Sequence, residues 1–77
     1  MMNQIVAEII VTVAERYGFT YADILGPRRT AMVVRAREQA MLESRRMGFS
    51  YTELGSYFGK HHTTVLEACR RAEGRVA

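Results

Sequence analysis

The segment GKHHTTVLEACRR, residues 59–71, holds two histidines, two threonines, a short apolar stripe, a cysteine and two arginines. Val65 and Cys69, with Ala72 just beyond, recur at helical spacing and predict the buried face of a helix that begins at the histidines. Gly59 predicts the end of the helix before it. The segment leaves three interpretations to be weighed: a metal site, a catalytic cluster, or the base-contacting end of a DNA-binding helix.

The residues ahead of this segment predict a shorter partner helix. The stretch SYTE, residues 50–53, is a capping box, so a helix is expected to begin at Tyr51. Leu54 and Phe58 give that helix an apolar face, and Gly59 ends it. Two helices of these lengths, joined by a turn of about three residues, are typical of a helix-turn-helix.

Three further helices are predicted upstream, and no stretch alternates with the period of two that a strand would show. The predicted helices cover about 3–17, 21–25, 31–47, 51–58 and 62–73, with fraying from Gly74. The expected N-caps include Asn3, Thr20, Thr30 and Ser50. Ile5 and Met47 are expected on buried faces. The predicted fold is a single all-α domain, residues 1–77, a compact bundle of about five helices that contains the helix-turn-helix.

Composition and charge limit the classes of function that the chain can have. A chain of 77 residues, 48% of them hydrophobic, fits one small domain and leaves little room for an enzyme pocket. One cysteine, no signal peptide and no apolar span predict a cytoplasmic protein without a membrane partner. The first 25 residues carry a net charge of −2 and the rest +5, nearly all the bases being arginine. An arginine-rich segment of this kind favours phosphate recognition, and a basic surface that only faces solvent is the alternative.

Metal binding and catalysis are both disfavoured. His61 and His62 are adjacent and would point about 100° apart on a helix, so at most one joins Cys69, where structural zinc needs four donors. Cys69 also lies in the apolar stripe, where a thiol is expected to be core. The sequence has no phosphate loop, serine nucleophile motif or paired carboxylates for acid–base work. No cofactor, small-molecule substrate or enzymatic activity is expected.

DNA binding explains the polar start of the last helix. A recognition helix contacts bases with its N-terminal residues, here His61, His62, Thr63 and Thr64. A threonine methyl can contact the thymine methyl, and its hydroxyl can reach a base or a phosphate. Free backbone N–H groups at the helix start also favour phosphate. Glu67 could accept from cytosine, but it is expected instead to pair along the helix with Arg70 or Arg71.

A second basic element precedes the third helix. Arg28 and Arg29 follow Gly26-Pro27, a pair that stiffens the loop. Arginines on an exposed loop can enter a narrow A·T-rich minor groove, where the negative potential is strongest. Arginine is not the charge that a helix N-terminus prefers, which points to a functional reason for the pair.

These motifs together resemble a known family. GPRRT at residues 26–30, VVRAR at 33–37 and HTTVL at 62–66 are similar to the C-terminal DNA-binding domain of the bacterial replication initiator DnaA, over roughly residues 5–73. The resemblance implies an all-α, Trp-repressor-like helix-turn-helix fold that binds a short asymmetric DnaA box in duplex DNA. A single helix-turn-helix with a minor-groove arm can bind such a site as a monomer. The DNA-contacting residues it implies, with the neighbouring basic residues, are Arg28, Arg29, Arg37, Arg45, Tyr51, Thr52, Lys60, His61, His62, Thr63 and Thr64.

Within that set the resemblance implies distinct roles. Arg29 would enter the minor groove, and His62 and Thr63 would contact bases in the major groove. Phosphates would be held by Thr64, Arg37 and Arg45, with Tyr51 and Thr52 near the backbone. The chain departs from the family pattern at His61, usually Asp, at Glu38, usually Gln, and at Ala31 and Glu67. These departures leave the preferred DNA sequence open.

Two alternatives remain beside an initiator domain. With no phosphate loop of its own, a chain that stood alone could not open an origin by ATP-driven assembly. It would then be a stand-alone regulator, or a phage or mobile-element product, with a different DNA site. A protein-interaction module is the other alternative, because an acidic first helix with a long apolar stripe could dock a partner helix.

Overall fold

The structure, a computed structural model, describes residues 3–76, and this part of the chain contains five α-helices joined by short turns and one loop. They are α1 (Gln4–Tyr17), α2 (Tyr21–Leu25), α3 (Ala31–Arg46), α4 (Tyr51–Phe58) and α5 (His62–Val76). The described residues contain no strand, so the all-α prediction is confirmed; Met1, Met2 and Ala77 lie outside them. The expected fraying from Gly74 is wrong, because α5 continues through it to Val76. No helix in this range is long and apolar enough to cross a membrane.

Side-chain caps fix the starts of the short helices. The Thr20 hydroxyl accepts from the Asp23 N–H at 3.2 Å, and the Asp23 carboxylate accepts from the Thr20 N–H at 3.0 Å. Ser50 and Glu53 form the same reciprocal pair at 3.0 and 2.8 Å, which confirms the capping box predicted at residues 50–53. The backbone hydrogen bonds hold the pKa of each carboxyl below its ordinary value. Thr30 is the N-cap of α3, but its side chain makes no capping bond.

The central helix α3 packs against α1 on one side and α5 on the other, and α4 packs on α5. The predicted stripe of α5 is confirmed as core, and burial raises the pKa of the Cys69 thiol. Ile5 and Met47 are not core, since they are 47% and 62% exposed. Met47 follows the last residue of α3, so it no longer shares the buried face. The buried cluster includes Val6, Ile10, Val13, Ile24, Ala36, Ala40, Met41, Leu54, Phe58, Val65, Ala68, Cys69 and Ala72.

Two glycines set the turn between α4 and α5. Gly59 has φ +68°, the left-handed conformation that a helix C-terminus often requires and that glycine adopts without steric cost. The Lys60 N–H then donates to the Gly55 carbonyl at 2.8 Å. A Cβ on Gly55 would lie 2.5 Å from the Lys60 carbonyl oxygen. The backbone of α4 therefore contacts the turn directly and holds the start of α5 against α4, as the predicted helix-turn-helix requires.

Candidate nucleic-acid interface

The first turn of α5 presents a polar surface to solvent. His62, Thr63 and Thr64 are exposed there, and His61 immediately before the helix is exposed as well. The opposite face of α5 is anchored in the core by Val65. The small side chains leave the helix end open to close approach by a flat or grooved partner.

His61 is also the N-cap of α5. Its ring nitrogen Nδ1 accepts from the Thr63 N–H at 3.2 Å, and its carbonyl accepts from the Thr64 and Val65 N–H groups at 3.0 and 3.2 Å. Its ring lies 4.2 Å from the ring of His62, centroid to centroid. Because Nδ1 is used as an acceptor, the neutral ring carries its proton on Nε2. The exposed edge of His61 is thus a hydrogen-bond donor, and sequence reasoning missed the cap that makes it one.

The two loop arginines differ in the contacts that their guanidinium groups make. The Arg28 Nη1 lies 3.4 Å from the Asp23 Oδ1, and its guanidinium stands 5.7 Å from the centroid of the Phe19 ring. Arg29 is exposed, and it has no ion-pair partner within residues 3–76. Arg29 is therefore the loop residue whose guanidinium is available to a ligand, whereas Arg28 is tethered to α2.

Arg37 departs from the expectation that it extends to a phosphate. Its side chain is buried, and its Nε donates to the Ile24 carbonyl at 2.6 Å. Its Nη2 donates to the carbonyls of Gly26 at 2.9 Å and Arg28 at 3.0 Å, with the Asp23 carbonyl at 3.4 Å. Burial lowers the pKa of this guanidinium. Arg37 thus holds the basic loop in place from inside, because all four carbonyls that it binds belong to α2 and the loop.

A second polar group lies at the start of α4. The Arg45 guanidinium stands 4.6 Å from the centroid of the Tyr51 ring, and its Nη1 donates to the Phe49 carbonyl at 3.2 Å. Thr52 is exposed in the first turn of α4. Stacking and the carbonyl bond orient Arg45 towards the N-terminus of α4, where backbone N–H groups favour an anion.

A cleft of about 250 Å³ lies between the basic loop, α3 and α5. Arg29 from the loop, Lys60 from the turn, and Thr64 and Arg71 from α5 line it. These residues come from segments more than thirty positions apart in the chain. The fold therefore gathers cationic and hydroxyl groups into one concave surface beside the exposed start of α5.

The family model described as "Bacterial dnaA protein helix-turn-helix" matches residues 6–72. The chain belongs to this family. The match runs from the first turn of α1 to Ala72 in α5, so it includes the basic loop, the helix-turn-helix and the cleft between them. It confirms the family resemblance, and it agrees with the helical fold.

Relatives named as DnaA match most of the chain. The chain is 43% identical over 74 residues to the chromosomal replication initiator protein DnaA of Rhodopseudomonas palustris (strain BisB18), covering 94% of the chain and 16% of that protein. It is 42% identical over 73 residues to the protein of the same name from Xanthobacter autotrophicus (strain ATCC BAA-1158 / Py2), covering 92% of the chain and 14% of that protein. The chain thus spans about a sixth of the length of these DnaA relatives.

One cluster of this DnaA-family chain was not predicted. Glu38 accepts from the Arg71 Nε at 2.8 Å and from the Arg75 Nη2 at 2.7 Å, joining α3 to α5. The expected pairing of Glu67 along α5 is wrong, because Glu67 makes no ion pair within the described residues and Arg71 binds Glu38 instead. The i,i+4 spacing of Arg71 and Arg75 signals a shared helix face. Nothing in the sequence connects that face to a carboxylate on α3.

Proposed function

We propose that this chain binds double-stranded DNA sequence-specifically, at a DnaA-box-like site. The observation that carries the proposal is the cleft where Arg29, Lys60 and Thr64 lie beside the exposed start of α5. A phosphate strand separates the major groove from the minor groove. A protein that enters both grooves must therefore pass a backbone strand between its two reading elements. A cationic cleft between an arginine loop and a polar helix end has the chemistry for that strand.

The proposed contacts are those that the family resemblance implies, and this placement supports them. His62 and Thr63 contact base edges in the major groove, with the Nε2–H of His61 as a further donor. Arg29 enters the minor groove, where its exposed guanidinium meets the strongest negative potential. Phosphate contacts come from Lys60 and Thr64 in the cleft and from Arg45, Tyr51 and Thr52 at the start of α4.

One domain is enough for such a site. The longest dimension of the helical core is 28 Å, and one turn of B-DNA is about 34 Å long. A single copy therefore covers less than one turn while reaching into two grooves. We propose binding as a monomer to an asymmetric site, which removes the need for a palindrome.

The biological setting of this binding is replication initiation or its regulation. The relatives are named as chromosomal replication initiators, and the chain matches about a sixth of their length. DNA binding by this domain would deliver whatever it is attached to, or would occupy the site itself. Both outcomes depend on the same recognition surface.

The test is fluorescence anisotropy with three labelled duplexes: a DnaA box, a scrambled box of the same composition, and an unrelated sequence. Each is measured at low and at near-physiological salt. Preference for the box that persists at higher salt is the expected result. Equal affinity for all three duplexes, falling steeply with salt, would overturn sequence-specific binding and leave phosphate contact alone.

Variants assign the two reading elements. Arg29→Ala and Thr63→Ala should each cost about 1–3 kcal/mol of discrimination between the box and the scrambled duplex. Arg16→Ala is the control for lost charge, because Arg16 lies on α1 and pairs with Glu43 away from the cleft. Equal weakening of every duplex by Thr63→Ala would remove its base-reading role.

A further inference from the structure

Glu38 is a buried carboxylate that holds two arginines. Its side chain is 7% exposed, whereas those of Arg71 and Arg75 are 54% and 34% exposed. Each carboxylate oxygen accepts one guanidinium N–H, at 2.8 Å from Arg71 and 2.7 Å from Arg75. A single interior charge therefore fixes two side chains that would otherwise extend into solvent.

The position of this cluster matters as much as its geometry. Glu38 and Arg71 line the same cleft as Arg29, Lys60 and Thr64. Thr64, Arg71 and Arg75 are spaced at i, i+7 and i+11, so they lie along one face of α5. A phosphate strand in the cleft would pass Arg71 and, at the floor, meet a negative charge.

We propose that Glu38 is an internal counter-ion of the DNA-binding surface, which offsets one of the two positive charges of Arg71 and Arg75 and so weakens their attraction for phosphates. The inference rests on the proposed DNA binding. A carboxylate with two short charge-assisted bonds competes with phosphate for the same guanidinium donors. The chain thereby keeps two arginines beside the duplex with the sequence-independent attraction of one positive charge. Affinity then depends more on the residues that contact bases and less on total positive charge.

Salt dependence measures this effect. Each phosphate that a protein neutralises contributes about 0.9 to the slope of log K against log salt. Removing the Glu38 charge makes the cluster of Glu38, Arg71 and Arg75 more positive by one unit, enough to neutralise one more phosphate, so the slope should steepen by about 0.9. Between 200 mM and 50 mM salt, that corresponds to about 3- to 4-fold more gain in affinity than the native chain shows. A residue that only ties α3 to α5 would change stability and leave the slope alone.

The experiment compares Glu38→Gln with Glu43→Gln on the full chain. Both changes remove one carboxylate from α3, but Glu43 pairs with Arg16 on α1. Anisotropy titrations use the DnaA-box and unrelated duplexes at several salt concentrations, and thermal melts by circular dichroism confirm folding. Glu38→Gln should steepen the slope and raise affinity for the unrelated duplex more than for the box. Equal slopes for the two variants would overturn the counter-ion role.

A double variant tests whether a steeper slope comes from the arginines that Glu38 binds. Adding Arg71→Gln to Glu38→Gln leaves Arg75 as the remaining charge of the cluster, the same net charge as in the native chain, so the slope should return to about the native value. A double variant that keeps the steeper slope of Glu38→Gln would overturn the proposal. Failure of the proposed function would give a different result. The native chain would then bind the box and the scrambled duplex with equal affinity, whatever the salt slopes of the variants.

Discussion

Arginines at the rim of the cleft differ from arginines in the interior behind it. The rim is Arg29 together with the turn at Lys60 and the exposed start of α5, and the interior is Arg37 and Glu38 with the groups that they bind. At the rim, Arg29 is exposed and makes no ion pair within residues 3–76. Behind it, Arg37 is bonded to backbone carbonyls, and Glu38 binds the guanidinium groups of Arg71 and Arg75. The net charge of +3 counts all of these arginines equally. The contrast shows that the charge available to a polyanion is set by what each guanidinium already binds.

Arg37→Met would break the interior side of this comparison, with the largest expected effect. The change keeps a long apolar stem and leaves the carbonyls of Ile24, Gly26 and Arg28 without their donor. We expect a loss of about 3–5 kcal/mol in the free energy of unfolding, as when one partner of a buried charged network is removed. Urea denaturation followed by circular dichroism measures it.

Arg35→Met is the matched control, because Arg35 is exposed on the same helix. Its stability should stay within about 0.5 kcal/mol of the native chain, as is usual for surface changes. The contrary outcome is a stable Arg37→Met protein that has lost affinity for every duplex. That result would return Arg37 to the phosphate role that the family resemblance implies.

Gly55→Ala tests the backbone geometry that supports the rim. A Cβ there meets the Lys60 carbonyl at 2.5 Å, so the turn must shift, and we expect a loss of about 1–3 kcal/mol in the free energy of unfolding. Gly74→Ala is the control, since a Cβ at that position in α5 has nothing within 4 Å. It should stabilise the protein by up to about 1 kcal/mol through helix propensity. Thermal melts measure both variants, and the two melting temperatures should shift in opposite directions. A shift in the same direction would contradict the close contact between α4 and the turn.

The rim was more predictable from sequence than the interior. The capping boxes at Thr20 and Ser50, and the glycine that ends α4, are local signals whose partners lie within four residues. The apolar stripe of α5 follows from periodicity alone. Such signals place the exposed threonines at the start of α5 without any knowledge of tertiary contacts.

The interior could not be predicted in the same way. Glu38 lies 33 residues from Arg71, so their bond depends on how α3 packs against α5. A buried arginine and a surface arginine look alike in a sequence, so the phosphate role that the resemblance implies for Arg37 carries no information on its burial. The family resemblance added expected roles, but a role transferred from a motif does not report burial in this chain.

His61 links the two sides, because it caps α5 and also faces outward. His61→Ala removes the acceptor for the Thr63 N–H, and we expect a loss of about 0.5–2 kcal/mol in the free energy of unfolding, the usual range for an N-cap. His61→Asn should retain most of that stability, since asparagine is a good cap. Equal loss in both variants, measured by urea denaturation, would show that the capping bond contributes nothing.

The same position sharpens the prediction for base preference. Asparagine keeps both a capping acceptor and a donor, whereas His61→Asp keeps the cap and presents only acceptors. A donor at this position suits guanine O6 or N7, and a carboxylate suits the cytosine amino group. Selection from a randomised duplex library should therefore give one changed position for His61→Asp and none for His61→Asn. Identical motifs from all three proteins would show that His61 does not face a base.

Glu43→Gln has the smallest expected effect and completes the comparison with Glu38. The Arg16 hydrogen bond holds the pKa of Glu43 below its ordinary value. The carboxylate therefore adds stability above the unfolded value of 4.5, and this contribution disappears as the pH falls through the lower folded value. At pH 7 the substitution should cost about 0.2–1 kcal/mol, because the pair is partly exposed. The difference in the free energy of unfolding between variant and native chain should disappear in acid, and a difference that stays constant with pH would assign the loss to packing.

Glu38 and Glu43 lie on the same helix and both bind arginine, so removing either one changes the net charge equally. A change in salt slope confined to Glu38→Gln would therefore reflect the position of the carboxylate beside the cleft and not the change in net charge.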